Sequence, residues 1–258
     1  MSIDDKYIGQ EGFSILSNND TGKIVLMVES TRATEIEEAM EKLGQNRYKI
    51  KNISMDMSAT YACVFNNVVP NAVQVIDKFH VMKYIYKVVC AVRSKRVKEL
   101  QKQLSKGRKR TEADRKILAE IELLRRVSHA ITQSSDNWNE EMTETINHLF
   151  TKHLDLKIAY QISQKFKQWY KYENRIKSTQ QITQNLHDWY KEATLISEFK
   201  YVIKMIHKHE PEIINFFQHG LSNAKAERLN GKIQRFVSCN YGLKDKDFFL
   251  YRTANYFS

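Results

Sequence analysis

Three carboxylates stand at positions where chemistry is possible. Asp4 lies in an apolar run near the start, Asp56 closes the run Ile50 to Asp56, and Glu227 sits one turn into a late helical segment. A fourth acid, Asp77, closes the run Ala72 to Asp77, and His80 follows it by three residues. Carboxylate oxygens are hard ligands that suit Mg²⁺ or Mn²⁺. Two such ions about 4 Å apart activate an attacking oxygen and stabilise a leaving oxygen on phosphorus. Several acids are needed, because one carboxylate cannot neutralise two divalent ions. The chain has 30 Asp and Glu residues, so spacing alone equally describes solvated acids at strand ends and one on a helix surface. His207 and His209, two apart on a helical stretch, point in different directions and suggest no metal site.

The elements that must position these acids read as an α/β unit. Between the two apolar runs lies a helix-sized stretch, Ala59 to Val69. Parallel strands need a crossover of about that length, and ligands in open α/β sheets gather at the carboxyl ends of strands. Upstream, Ser2 to Ile8 and Phe13 to Ser17 read as strands joined by a turn over Gly9 to Gly12. Asn18 to Gly22 reads as a hairpin turn, since Asn, Asp and Gly tolerate positive φ. The run IVLMV that follows is apolar throughout, the pattern of a strand buried on both faces, and is expected at the centre of the sheet. Thr31 to Leu43 reads as a helix capped by Thr31 and ended by Gly44, and Ser58 is expected to cap the next helix. The predicted order is three strands, helix, strand, helix, strand.

From Lys78 onward strand signals stop. Met82, Ile85, Tyr86, Val89 and Val92 form a stripe at helical spacing. Thr111 and Asp114 resemble a capping box. Further helices are expected at about 112–131, 136–150, 152–174, 180–192 and 194–209. Trp138, Trp169 and Trp189 fall in this block and read as packing residues rather than base-stacking platforms. A last helix over Asn223 to Val237 puts Leu229, Ile233 and Phe236 on an apolar face and Arg228, Lys232 and Arg235 on a basic one. Its third, polar face carries Asn223, Glu227 and Asn230.

Lys and Arg total 41, so the 258-residue chain carries a formal charge of +11 and a pI near 9.4. That balance favours a polyanionic partner, most simply nucleic acid. Three widely spaced cysteines, Cys63, Cys90 and Cys239, have no metal spacing and fit reduced thiols in a cytosolic compartment. No apolar run approaches membrane-spanning length.

Three motifs in order carry a resemblance: SMDMSATY (Ser54 to Tyr61), PNAVQVIDKFHV (Pro70 to Val81) and SNAKAERLNGKIQ (Ser222 to Gln234). Together with the helical interval, Arg93 and the terminal YGLKDKDFFLYR, they resemble the DDE transposase domain of ISL3-type insertion sequences. The resemblance implies an RNase H-like core: a mixed five-stranded α/β sheet with a large all-α insertion between the fifth strand and the catalytic helix. The implied boundaries are a core at 1–80, an insertion at 81–219, and C-terminal helices at 220–258 that complete the core. It implies Asp4, Asp56 and Glu227 as catalytic ligands of two Mg²⁺ or Mn²⁺ ions. The family pattern at the first strand is Asp-Glu and this chain has Asp4-Asp5, so Asp5 remains an alternative ligand. Asp77 either supports the site or caps the helix after it, and His80, Asn223 and Asn230 are supporting candidates.

The expected partner is double-stranded DNA, both element ends and target, held by a dimer or higher oligomer associated with the nucleoid. Lys225, Arg228 and Lys232 beside Glu227, Arg93, and the basic run Lys106, Arg108, Lys109 and Arg110 with Arg125 and Arg126 are candidate phosphate contacts. The expected activity is DNA strand cleavage and strand transfer in transposition. Full-length relatives carry an N-terminal zinc-binding and helix-turn-helix region, and this chain begins inside the first strand. The alternative expectation is therefore an inactive, truncated remnant that only binds DNA.

Overall fold

The computed structural model describes residues 1–8, 11–105, 111–220, 224–239 and 246–257. It divides into two compact units, Met1–Val81 with His209–Ser258, and Met82–Lys208. The first unit opens with β1 (Ser2–Ile8), β2 (Glu11–Ser17), β3 (Ile24–Val28), α1 (Ala33–Glu41), β4 (Asn52–Met55), α2 (Ala59–Val68) and β5 (Val73–Ile76). Helix α3 (Lys78–Gln103) begins in this unit and runs on into the second. There α4 (Glu112–Arg126), α5 (Glu140–Lys152), α6 (Leu154–Trp169), α7 (Thr179–Ala193) and α8 (Lys200–Lys208) follow. The chain returns to the first unit with α9 (Glu210–His219), α10 (Ala224–Cys239) and α11 (Lys246–Phe257).

The five strands lie in the order β3-β2-β1-β4-β5. Strands β1, β2 and β3 pair antiparallel, and β4 and β5 add parallel to β1, as the predicted element order requires. Helices bury the sheet. Leu229 and Ile233 of α10 and Phe257 of α11 close over Phe13, Ile15 and Ile24. Tyr61 and Phe65 of α2 and Ile36 and Met40 of α1 are fully buried in the same unit.

The apolar run IVLMV departs from expectation. It is an edge strand, not a central one, and most of it is half-buried. Helices α1 and α11 pack against β3, so its apolar surface is covered by helices rather than by a second neighbouring strand. Thr31 does not cap α1, whose N-cap is Arg32 with no side-chain bond. Gly44 does turn left-handed, at φ 56°, two residues past the C-cap Lys42. No sequence signal had assigned a helix to Glu210–His219. Pro211 stands in its first turn and Gly220 ends it at φ 62°. Helix α9 packs on β5, where the Asn215 side chain donates to the Gln74 carbonyl at 2.8 Å.

The second unit is helical throughout its described residues. The predicted capping box is present, with Thr111 and Asp114 each accepting from the other's backbone N–H. Trp169 and Trp189 are buried and Trp138 is half-buried, and each indole is tied to a backbone carbonyl. Trp138 donates to the Ala130 carbonyl at 2.9 Å, Trp169 to that of Ile182 at 3.0 Å, and Trp189 to that of Ile162 at 3.0 Å. The expected single helix over 152–174 ends at Trp169, and the residues after it form a short 3₁₀ turn, Tyr172–Ile176. Arg96 bridges to Asp155 at 2.9 Å and Lys95 to Glu198 at 2.8 Å. Cys63, Cys90 and Cys239 form no disulfide. Among the described residues no helix is long and apolar enough to cross a membrane.

Candidate active site

Strand register decides which acids meet. Ser2 of β1 pairs with Ser54 of β4, and Ser54 pairs with Val75 of β5. Two residues on from these pairs stand Asp4 within β1, Asp56 one residue past the end of β4 and Asp77 one residue past the end of β5, so the register projects the three to one level where neighbouring strands run about 4.8 Å apart. A step of two keeps them on the face set by Ser2, Ser54 and Val75. The β1/β4 boundary is also where the chain order reverses, the point at which open α/β sheets place their ligands. The apolar residues around the acids, Ile3, Ile53, Met55 and Ile76, hold the strand ends rigid by burial.

The two acids of β1 differ because adjacent residues face opposite sides of a sheet. Asp5 accepts hydrogen bonds from the Tyr61 hydroxyl of α2 and, at 3.0 Å, from the Ser14 hydroxyl directly across the hairpin. Burial, and then the bond to Asp5, push the Tyr61 hydroxyl far above its usual range, so it remains a donor. Asp4 instead accepts from the Asn230 amide of α10 at 2.7 Å and from the Asp5 N–H at 3.0 Å. Tyr61 and Ser14 were not foreseen. The hairpin register, which sets Asp5 opposite Ser14, was the signal that held half of that network.

Electrostatics links the remaining acids. Burial pushes Asp4 above the ordinary carboxylate range, His80 and the Asp5 N–H pull it back, and the charges of Asp56 and Asp5 push it further up. Burial likewise raises Asp56, opposed by His80 and by the Ser58 N–H that donates to its Oδ1 at 2.9 Å, with Asp5 adding to the rise. Glu227 is raised by burial and by Asp77, and lowered by His80. His80 acts on Asp4, Asp56 and Glu227 alike, and its Nε2 lies 3.9 Å from Asp77. Asp77 is buried, while Glu227 is exposed on α10. Ser58 occupies the N-cap of α2 without a side-chain bond; its backbone holds Asp56 instead.

Asp4 and Asp56 are oxygen donors whose ionisation is opposed by burial and by neighbouring carboxylates, which is the penalty a divalent cation removes. The donor chemistry therefore fits Mg²⁺ or Mn²⁺. Among the described residues no three His, Cys, Asp or Glu side chains are grouped to hold an ion.

The other predicted contacts fall in different places. Arg228 and Lys232 are exposed on α10. The guanidinium of Arg93, expected to contact DNA, donates to the Leu124 carbonyl at 3.1 Å and to Ser94 at 3.2 Å, and ties α3 to α4. Arg126 pairs with Glu141 at 2.5 Å. Lys106, Arg108, Lys109, Arg110, Asn223 and the Lys225 side chain lie outside the described residues.

No curated protein and no solved structure gives a significant match to this chain. A family model described as Transposase, that of the ISL3-type DDE enzymes, matches residues 1–253. That span contains every strand, the acids Asp4, Asp56 and Asp77, and Glu227, and the chain belongs to the ISL3-type transposase family.

Proposed function

We propose that the chain is the catalytic domain of a DDE transposase with an RNase H-like core, cutting DNA at the end of an insertion sequence and joining the freed 3′ hydroxyl to target DNA. The observation that carries this reading is the register that sets Asp4 of β1 beside Asp56, one residue past the end of the adjacent parallel strand β4, at the switch point of the sheet. Asp4, Asp56 and Glu227 would hold two Mg²⁺ or Mn²⁺ ions, which when bound supply charge neutralisation at the phosphate and activation of the attacking oxygen.

The chain's own residues do the rest. Asn230 fixes one oxygen of Asp4, and the Ser58 N–H fixes one oxygen of Asp56, which orients both carboxylates before any substrate arrives. Asp5 is engaged by Tyr61 and Ser14, which favours Asp4 as the ligand of the first strand. His80 offsets the mutual repulsion of the acids. Arg228 and Lys232, exposed on the helix that carries Glu227, would draw phosphates toward it. Replacing Asp56 by Ala is expected to abolish Mg²⁺-dependent cleavage of element-end DNA while the circular dichroism of the fold is unchanged; a variant that cuts like the parent would overturn the assignment.

One observation favours a second reading, a DNA-binding remnant: no three acids of the described residues are grouped around an ion position. Titration with Mn²⁺ separates the two. Saturable binding that Asp56→Ala removes supports the enzyme, and no binding supports the remnant.

A further inference from the structure

Helix α6 of the helical unit is flanked by an open cleft of about 650 Å³. Gln161, Gln164, Lys165 and Gln168 recur at three- and four-residue spacing on one face of that helix and line it, joined by Lys167, Lys171 and the hydroxyl of Ser135. Nearly all of the lining is therefore Lys, Gln, Ser or Tyr, the side chains that contact sugar and phosphate oxygens. Asp136 is the one carboxylate of this cleft. Lys165 and Gln168 also line a second cleft of about 370 Å³ that reaches Lys177, so the two form one groove. The second cleft adds the carboxylates Glu192 and Asp188, the latter paired with Lys191 at 2.9 Å. The floor of the groove is stiff, since Trp169 and Trp189 both line the second cleft and both indoles are tied to backbone carbonyls.

The lysines of the groove are not equivalent. Lys165 is neutralised by Glu192 at 2.6 Å. Lys167 donates to the neutral Ser134 hydroxyl at 2.7 Å and forms no ion pair among the described residues. Lys171 and Lys177 form no ion pair among the described residues. From Gln161 to Gln168 the helix rises roughly 10 Å, enough to meet two consecutive phosphates of one strand.

We propose that this groove along α6 holds the sugar-phosphate backbone of duplex DNA, with Lys167, Lys171 and Lys177 neutralising phosphates and Gln161 and Gln168 donating to their oxygens. The contact carries no sequence information, because it reaches no base edge. It is separate from the acids of the sheet, and it rests on the reading of the chain as a protein that acts on DNA.

The test uses the full chain and a labelled duplex of about 30 base pairs, with affinity measured by anisotropy between about 50 and 300 mM NaCl. Each phosphate contact contributes about −0.9 to the slope of log K against log salt. The triple variant Lys167→Gln/Lys171→Gln/Lys177→Gln is expected to flatten the parent slope by about 2.7. Lys116→Gln, whose parent side chain pairs with Glu112 at 3.1 Å on α4, is expected to leave it unchanged. A triple variant that keeps the parent slope, with unchanged circular dichroism, overturns the groove and leaves the DNA reading standing. A parent that binds no duplex overturns both. A loss confined to double-stranded RNA, with DNA binding intact, reassigns the groove and overturns the proposal.

Discussion

Asp56 and Asp4 illustrate how a site stores cost in the fold that carries it. Both are raised by burial first and by neighbouring acids after that. A raised carboxylate favours the folded state fully below its ordinary pKa of about 3.9, and that contribution is lost as pH rises through the raised value. Without metal, the chain is expected to lose stability as pH climbs from about 4 through this range, which thermal melts in a pH series would register. Asp56→Asn keeps an oxygen for the Ser58 N–H and removes the charge. It is expected to raise the metal-free Tm at neutral pH by roughly 2–4 °C, on the order of 1 kcal/mol, while ending DNA cleavage. A lower Tm would show that the Asp56 charge stabilises the fold. His80 reads from the sequence as a supporting candidate, and in the structure its electrostatic reach covers Asp4, Asp56 and Glu227.

At the scale of elements, local chemistry was legible. The Thr111–Asp114 box was readable because the two partners lie three residues apart and interact before any tertiary contact forms. Thr111→Ala is expected to destabilise the helical unit by about 1 kcal/mol. Hydrogen bonds from Ser105 and from the Thr111 N–H hold the Asp114 carboxyl well below its usual range. Its contribution is therefore present above the ordinary carboxylate pKa and lost as pH falls through the depressed one. Acid titration should show that loss in the parent and not in Asp114→Asn. The stripe Leu229 and Ile233 was equally readable, and both residues are buried under the sheet. The edge position of β3 was not, because an apolar run looks the same whether strands or helices cover it.

At the scale of the molecule, the three tryptophans fall within residues 82–208. Tryptophan emission therefore reads the helical unit, whereas far-ultraviolet dichroism reads both. Ile233→Ala, at a fully buried position of α10, is expected to cost about 3 kcal/mol. It should shift the dichroism transition before the tryptophan one; equal shifts would mean that the two units unfold together. Mg²⁺ is expected to raise the Tm of the parent by mass action and to leave Asp56→Asn unmoved, which differential scanning fluorimetry checks. A Tm unaffected by Mg²⁺ in the parent would count against the metal reading.

The sequence by itself determined the order of the five strands and of the helices as far as α8, the capped helix after Thr111, the apolar face of α10, the buried Trp169 and Trp189, and the family. These follow from side-chain periodicity, from partners a few residues apart and from ordered motifs. Tertiary structure alone decided that Asp4, Asp56 and Asp77 project to one level, since that depends on the registers Ser2 to Ser54 and Ser54 to Val75 between strands far apart in the chain. It also decided that Asp5 is held by Tyr61 and Ser14, that Asn230 reaches Asp4 across 226 positions, and that α9 returns to β5. Side-chain chemistry shows what each acid is able to do; which acids stand together is set by the packing of elements that no local pattern encodes.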